Sequence, residues 1–123
     1  MHLGLTAKTT LEVTAEDTAI AARSGDVPVL STPRIVALCE EAALAALDGH
    51  LADDETTVGM RIQLDHLAPS AVGSTVVASA KLEKVEGRRL KFSVSVSDAR
   101  GLIAAGKITR VVVERERFME KCL

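Results

Sequence analysis

Thr32, Glu40 and His66 place a hydroxyl, a carboxylate and an imidazole on consecutive elements of this chain. Glu40 is the most informative of the three. At helical spacing Val36, Glu40, Leu44 and Leu47 share one stripe of the segment Thr32 to Leu51, so Glu40 interrupts an apolar face. Its neighbour Glu41 falls with Arg34, Ala45 and Asp48 on a face that reads as solvated. A partly desolvated carboxylate is a better base, and a charged imidazole beside it opposes that gain. A helix N-terminus carries unpaired N–H groups and the positive end of the dipole, which suit an oxyanion. Hydrolysis of an activated acyl group would use all three groups. Each residue alone also has a plain structural reading. Thr32 is expected at the N-cap with Pro33 at N1, His66 can be a satisfied core histidine, and Glu40 can sit at an interface.

Two further positions draw attention. Gly59 falls on the polar side of the strand that carries His66, where a missing side chain would let a ligand approach the backbone; a β-bulge explains it equally well. Arg110 shares a strand face with Leu102, Ala104, Gly106, Ile108 and Val112, an expensive place for a guanidinium without a partner. An ion pair with a nearby acid and a contact to substrate are both open. His2 and His50 lie outside this set, at the terminus and the C-terminal end of the helix.

The elements that would carry these residues are marked by period and punctuation. A first strand is expected over 4–13, then a short helical piece from the cap-like Thr14-Ala15-Glu16-Asp17 to Arg23, closed by Ser24-Gly25-Asp26. Val27 to Ser31 reads as extended, and the long helix begins at Thr32-Pro33 with Gly49 as its C-cap. After Asp53-Asp54-Glu55 the period becomes two: Val58, Met60, Ile62, Leu64 and His66 alternate with Gly59, Arg61, Gln63 and Asp65. Three more strands are expected at about 74–85, 89–98 and 102–115, separated by Glu86-Gly87 and Asp98 to Gly101. The pattern predicts an α+β architecture with the helix covering one face of an antiparallel sheet.

Composition limits the classes of function. A chain of 123 residues predicts one domain, with a core built from Val, Leu, Ala and Ile because there is no Trp or Tyr and only Phe92 and Phe118. Nucleic-acid binding by base stacking is therefore not expected. Residues 1–59 carry a net −7 and residues 60–123 a net +5, but the basic residues alternate with acids and apolar residues as on a solvated sheet face. No stretch has the length of a membrane span and no signal peptide opens the chain, which predicts a cytoplasmic protein. Cys39, expected in the core, and Cys122 fit neither a metal-ligand spacing nor a disulfide framework.

The motifs Val29-Leu30-Ser31-Thr32-Pro33, Ala37-Leu38-Cys39-Glu40-Glu41-Ala42-Ala43, His66-Leu67-Ala68-Pro69 and Val72-Gly73 together resemble the hotdog-fold thioesterases, in particular the fluoroacetyl-CoA thioesterase-like group. The resemblance continues through Gly87-Arg88-Arg89-Leu90-Lys91-Phe92 and Asp98 to Gly106 and so spans nearly the whole chain. It implies a hotdog fold, an antiparallel sheet wrapped around one long helix, usually as a homodimer with acyl-CoA sites at the subunit interface, or as a tetramer. The implied reaction is hydrolysis of an acyl-CoA thioester to a carboxylic acid and free CoA, with no metal or redox cofactor. The group's catalytic Thr, Glu and His fall on Thr32, Glu40 and His66, and its substrate-contacting Gly and Arg on Gly59 and Arg110. The group's phenylalanine gate ahead of the catalytic Thr is missing, since no Phe precedes Phe92 and Arg23, Asp26 and Val27 occupy that region. That puts fluoroacetyl-CoA specificity in doubt and leaves the general thioesterase apparatus in place. The rival reading is a non-catalytic acyl-CoA-binding hotdog module; an enoyl-thioester hydratase would carry an Asp and His in a longer signature that is absent.

Overall fold

Two tight turns fix the centre of the sheet. Gly87, at φ +62°, closes the hairpin in which Glu86 pairs with Arg89, and glycine takes that conformation without steric cost. At the second turn Asp98 pairs with Gly101, and its carboxylate accepts the Arg100 N–H at 2.8 Å. The computed structural model describes residues 1–123. Its strands are β1 (Thr6–Glu12), β2 (Glu55–His66), β3 (Thr75–Glu86), β4 (Arg89–Asp98) and β5 (Gly101–Glu114). They form one antiparallel sheet in the order β1-β3-β4-β5-β2. A 3-10 turn at Ala15–Asp17 and the single turn α1 (Ala19–Ala22) lead to the long helix α2 (Thr32–Ala46), and α3 (Arg115–Glu120) ends the chain.

The alternation of β4 holds: Leu90, Phe92, Val94 and Val96 are buried, while Lys91 is exposed and the serines between them are half-buried. They face Ile35, Leu38, Cys39, Ala42, Ala43 and Ala46 of α2 across a core that also takes in Val76, Ala78, Leu82, Ile103, Ala104 and Ile108. Ala42 and Ala43, both fully buried, let the helix backbone approach β1 and β3, on which it mainly packs. This sheet around one central helix is the α+β hotdog architecture that the sequence predicts. Phe92 belongs to the core, whereas Phe118 sits half-buried outside it on α3.

Five details differ from the sequence reading. The stripe Val36, Glu40, Leu44 is not the core face: Val36 and Glu40 are half-buried and Leu44 is 44% exposed, with only Leu47 fully inside. The alanines, weak in an apolar count, turn the buried face toward Leu38, Ala42 and Ala46, and the Glu40 stripe lies along its border. The helix stops at Ala46 with Leu47 rather than Gly49 as its C-cap, the Leu47 N–H being shared between the Ala43 and Leu44 carbonyls. The helix N-cap is Ser31, whose Oγ accepts the Arg34 N–H at 3.1 Å, so Thr32 occupies N1. Finally, α3 was not marked by the sequence pattern, and β1 is shorter at both ends than 4–13.

The segment ahead of α2 is tied to it electrostatically. Arg34 bonds Asp17 at 3.2 Å and Glu41 at 3.1 Å. Burial pushes the Asp17 carboxyl up, but the N–H and hydroxyl of Thr14 and the Arg34 guanidinium outweigh it and hold it below its ordinary value.

Candidate active site

The capping exchange between Ser31 and Thr32 has a direct chemical consequence. Because Ser31 satisfies the helix terminus, the Thr32 hydroxyl is free, and its Oγ1 lies 2.7 Å from His66 Nδ1. For the hydroxyl to donate, Nδ1 must hold the lone pair, which puts the ring proton on Nε2. That nitrogen is buried and has no protein partner. The first turn has little else to offer an oxyanion: the Arg34 N–H goes to Ser31 Oγ, the Ile35 N–H goes to the Ser31 carbonyl, and Pro33 has none. The N–H of Thr32 remains.

The roles separate cleanly in a stability experiment. Ser31→Ala loses the cap and about 1 kcal/mol, read as a lower melting temperature. Thr32→Ala keeps the cap and the melting temperature, and it loses only the hydroxyl that meets His66.

Glu40 lies eight residues further along α2, about 12 Å along the axis at the helical rise. It is not paired with His66. Its Oε2 accepts a 2.6 Å bond from Arg110 Nη1, in an ion pair where the Arg110 side chain is 7% and the Glu40 side chain 30% exposed. Arg110 is further held by Thr57: Nε donates to Thr57 Oγ1 and Nη2 to the Thr57 carbonyl, both at 2.9 Å. All three guanidinium nitrogens are thus engaged within the protein, and the residue is satisfied where its apolar face made it look costly. The ion pair that the sequence leaves open for Arg110 is present.

Gly59 reaches this cluster through a bulge. Gly59 pairs with Arg110 and Arg61 with Thr109, so Met60 is the extra residue in β2. The bulge reverses the side-chain phase upstream: Thr57 and Gly59 lie on the same inner face as Ile62, Leu64 and His66, opposite Val112, Arg110, Ile108, Gly106 and Ala104. Strict alternation puts Gly59 on the other side, with Val58 inward, and the register corrects both. A Cβ on Gly59 would come within 2.7 Å of Glu40 Oε2 and 3.6 Å of Arg110 Nη1. The missing side chain is therefore the socket for the Glu40 carboxylate.

Cys39, beside Glu40, is no rival nucleophile. Burial first, and then the Glu40 charge, push its thiol up to about 11, so it stays protonated near neutrality.

The sequence reading does not single out Thr57 or Ser31, and it sets Gly59 on the face opposite His66, which the register reverses. Thr57 lies before the expected strand start at 58, and only the bulge turns it inward. Ser31 carried a signal, since Ser is as good a cap as Thr and Pro is tolerated at either of the next positions.

A sheet wrapped on one helix, with a hydroxyl–imidazole pair and a carboxylate facing the same partly covered strand, defines a hotdog-fold acyl-transfer protein. The model for the fluoroacetyl-CoA-specific thioesterase family, FlK, matches residues 13–116, and the chain belongs to that family of acyl-CoA thioesterases. The reaction of this class splits a thioester into a carboxylic acid and free CoA. The fluoroacetyl-CoA thioesterase of Streptantibioticus cattleyicolor is 37% identical over 93 residues, 76% of this chain and 67% of that protein. A solved structure of the fluoroacetyl-CoA thioesterase FlK superposes with a TM-score of 0.94 at 30% identity, covering 99% of this chain and 95% of that one. A hot-dog-like protein from Thermanaerovibrio acidaminovorans follows with a TM-score of 0.90 at 27% identity, covering 98% and 89%.

Proposed function

We propose that residues 1–123, as one hotdog domain, hydrolyse an acyl-CoA with Thr32, Glu40 and His66 as the catalytic groups and with Gly59 and Arg110 holding Glu40 in place. The observation that carries this reading is the split role of the Glu40 carboxylate: Oε2 is pinned by a buried guanidinium, while the side chain keeps 30% of its surface exposed. One oxygen is oriented and the other is left to act.

The Thr32 hydroxyl passes its proton to His66 Nδ1 as Oγ1 attacks the thioester carbonyl. The tetrahedral intermediate collapses by breaking the C–S bond, and the departing thiolate takes the proton back from the imidazole, releasing CoA. Glu40 Oε1 then removes a proton from water as it attacks the acyl-threonine ester; the second tetrahedral intermediate breaks its bond to Thr32 Oγ1, that oxygen recovers through solvent the proton that Glu40 took, and the carboxylic acid leaves with Glu40 ionised again. No metal or redox cofactor enters this balance. Glu40 and His66 sit on opposite ends of the sequence of steps, in keeping with the absence of a bond between them.

A homodimer is part of the proposal. The inner face of β2 is only partly covered, because α2 packs mainly on β1 and β3. Ile62 on that face is 38% exposed, and Met60 of the bulge and Leu44 of α2 are 49% and 44% exposed. The other edge of β2 pairs with no strand of this chain, a length of open backbone that proteins ordinarily cover. A second copy on this edge would cover both and bring the acyl-CoA site to the interface; a tetramer would pair two such dimers. Light scattering that gives a monomer at working concentration refutes this part. No helix is long and apolar enough to cross a membrane. A cytoplasmic location is part of the proposal, and two free cysteines are in keeping with it.

The test is thiol release across short, branched, aromatic, long and fluoroacetyl CoA esters. Turnover of at least one ester is expected, without preference for fluoroacetyl over acetyl, since the segment leading into α2 has no Phe and exposes the aliphatic Ile20 and Val27 instead. Binding of CoA esters with no thiol released would favour the acyl-CoA-binding module instead.

A further inference from the structure

The Arg110 guanidinium is a planar fork whose direction is set by what it bonds, and two of its three bonds go to a single residue. Thr57 is 5% exposed and takes Nε on its hydroxyl and Nη2 on its carbonyl. The third nitrogen, Nη1, is then aimed at Glu40 Oε2 at 2.6 Å. Thr57 pairs across the sheet with Val112, one inward position beyond the Gly59–Arg110 pair, so Arg110 leans diagonally along β2 to reach it. Without the hydroxyl the guanidinium keeps only the carbonyl anchor and can pivot about it, carrying the carboxylate with it.

We infer that Thr57 is a positioning residue for hydrolysis, acting through Arg110 to hold the Glu40 carboxylate in its reactive orientation. The inference rests on the proposed thioesterase reading, because it gives Glu40 a chemical role. The residue type fits the task. A β-branched side chain suits a strand interior, the hydroxyl supplies the acceptor that Nε needs, and its own methyl fills the buried site. Valine keeps the shape and removes the acceptor; serine keeps the acceptor and removes the methyl. The Met60 bulge belongs to the same device, since without the phase reversal neither Thr57 nor Gly59 would face Glu40.

The experiment compares kcat and KM for wild type, Thr57→Val, Thr57→Ser, Arg110→Lys and the double variant Thr57→Val with Arg110→Lys, each checked for folding by circular dichroism and thermal melting. Thr57→Val is expected to lower kcat on the order of 10²-fold, the cost of a small misplacement of a reacting group, with KM nearly unchanged. Thr57→Ser restores most of that loss. In the Arg110→Lys background, where the fork is already gone, Thr57→Val adds little further loss, the non-additivity expected of residues acting in series. A folded Thr57→Val with wild-type kcat overturns the inference, and so does a full additional loss in the double variant. Should Thr57→Val fail to fold, Thr57→Ala carries the same expectation and the same refutation. Loss of turnover in Glu40→Gln with full turnover in Thr57→Val sinks this inference alone, whereas a wild type that releases no thiol sinks the reading beneath it.

Discussion

Glu40→Gln lowers turnover by about 10²- to 10⁴-fold, the usual contribution of a positioned acid or base, while the protein remains folded. Glutamine is the informative replacement because of what surrounds the residue. Arg110 is 6% exposed and bonded to Glu40 at 2.6 Å. Glu40→Ala would leave that charge buried and unpaired, a change that costs about 3–5 kcal/mol in a closed interior. Partial exposure of Glu40 places the cost at the lower end of that range. Against a total stability of about 5–15 kcal/mol, the alanine variant risks losing activity through unfolding. The amide oxygen of glutamine still accepts the Nη1 bond and preserves the shape, so lost turnover then reports on the carboxylate's charge. Near-normal turnover in a folded Glu40→Gln removes Glu40 from the chemistry and leaves it as a structural partner of Arg110.

The fold was legible because its signals were redundant. Alternation in β4, glycines at the two hairpins and the Ser31-Thr32-Pro33 start of α2 each pointed to the same α+β arrangement, and packing had no reason to override them. Errors arose where one residue shifts a phase. The alternation in β2 reads as continuous from Val58 to His66, yet Met60 adds a residue between Gly59 and Arg61. A single insertion of this kind moves every upstream side chain to the opposite face. Gly59 did mark the irregularity, as glycine in a strand often does, but sequence alone could not say which neighbour was extra.

The sequence marks Glu40 and Arg110 as anomalies but does not mark their pairing. Glu40 was found as a carboxylate on an apolar stripe, although the stripe proved to be the border of the buried face. Arg110 was found as a charge on an apolar strand face, and the two anomalies explain one another at 2.6 Å. That pairing joins residues seventy positions apart, and no local pattern encodes such a separation. Thr57 left no trace because a threonine in a strand is ordinary until a buried guanidinium needs its oxygen. The cap lies one residue from the expected position for a similar reason: Ser31 and Thr32 are near-equal caps in isolation, and here the threonine hydroxyl meets His66 instead.

His66→Leu should separate stability from activity most sharply. The Nε2 atom of His66 is buried without a partner, and an unsatisfied buried polar atom costs about 1–3 kcal/mol. Leucine removes that atom from a strand whose inner neighbours are Leu64 and Ile62. The hydroxyl left behind on Thr32 is in an exposed contact and can turn to water at little cost. The variant is therefore expected to melt at or above the wild-type temperature while losing about 10²- to 10⁴-fold in turnover. A residue kept for packing behaves in the opposite way, since replacing it lowers stability first and activity only as a result. A less stable His66→Leu that retains turnover per folded molecule would assign the imidazole to structure. A stable and inactive one would mean that the buried nitrogen is retained at a cost in stability for what it does to the Thr32 hydroxyl.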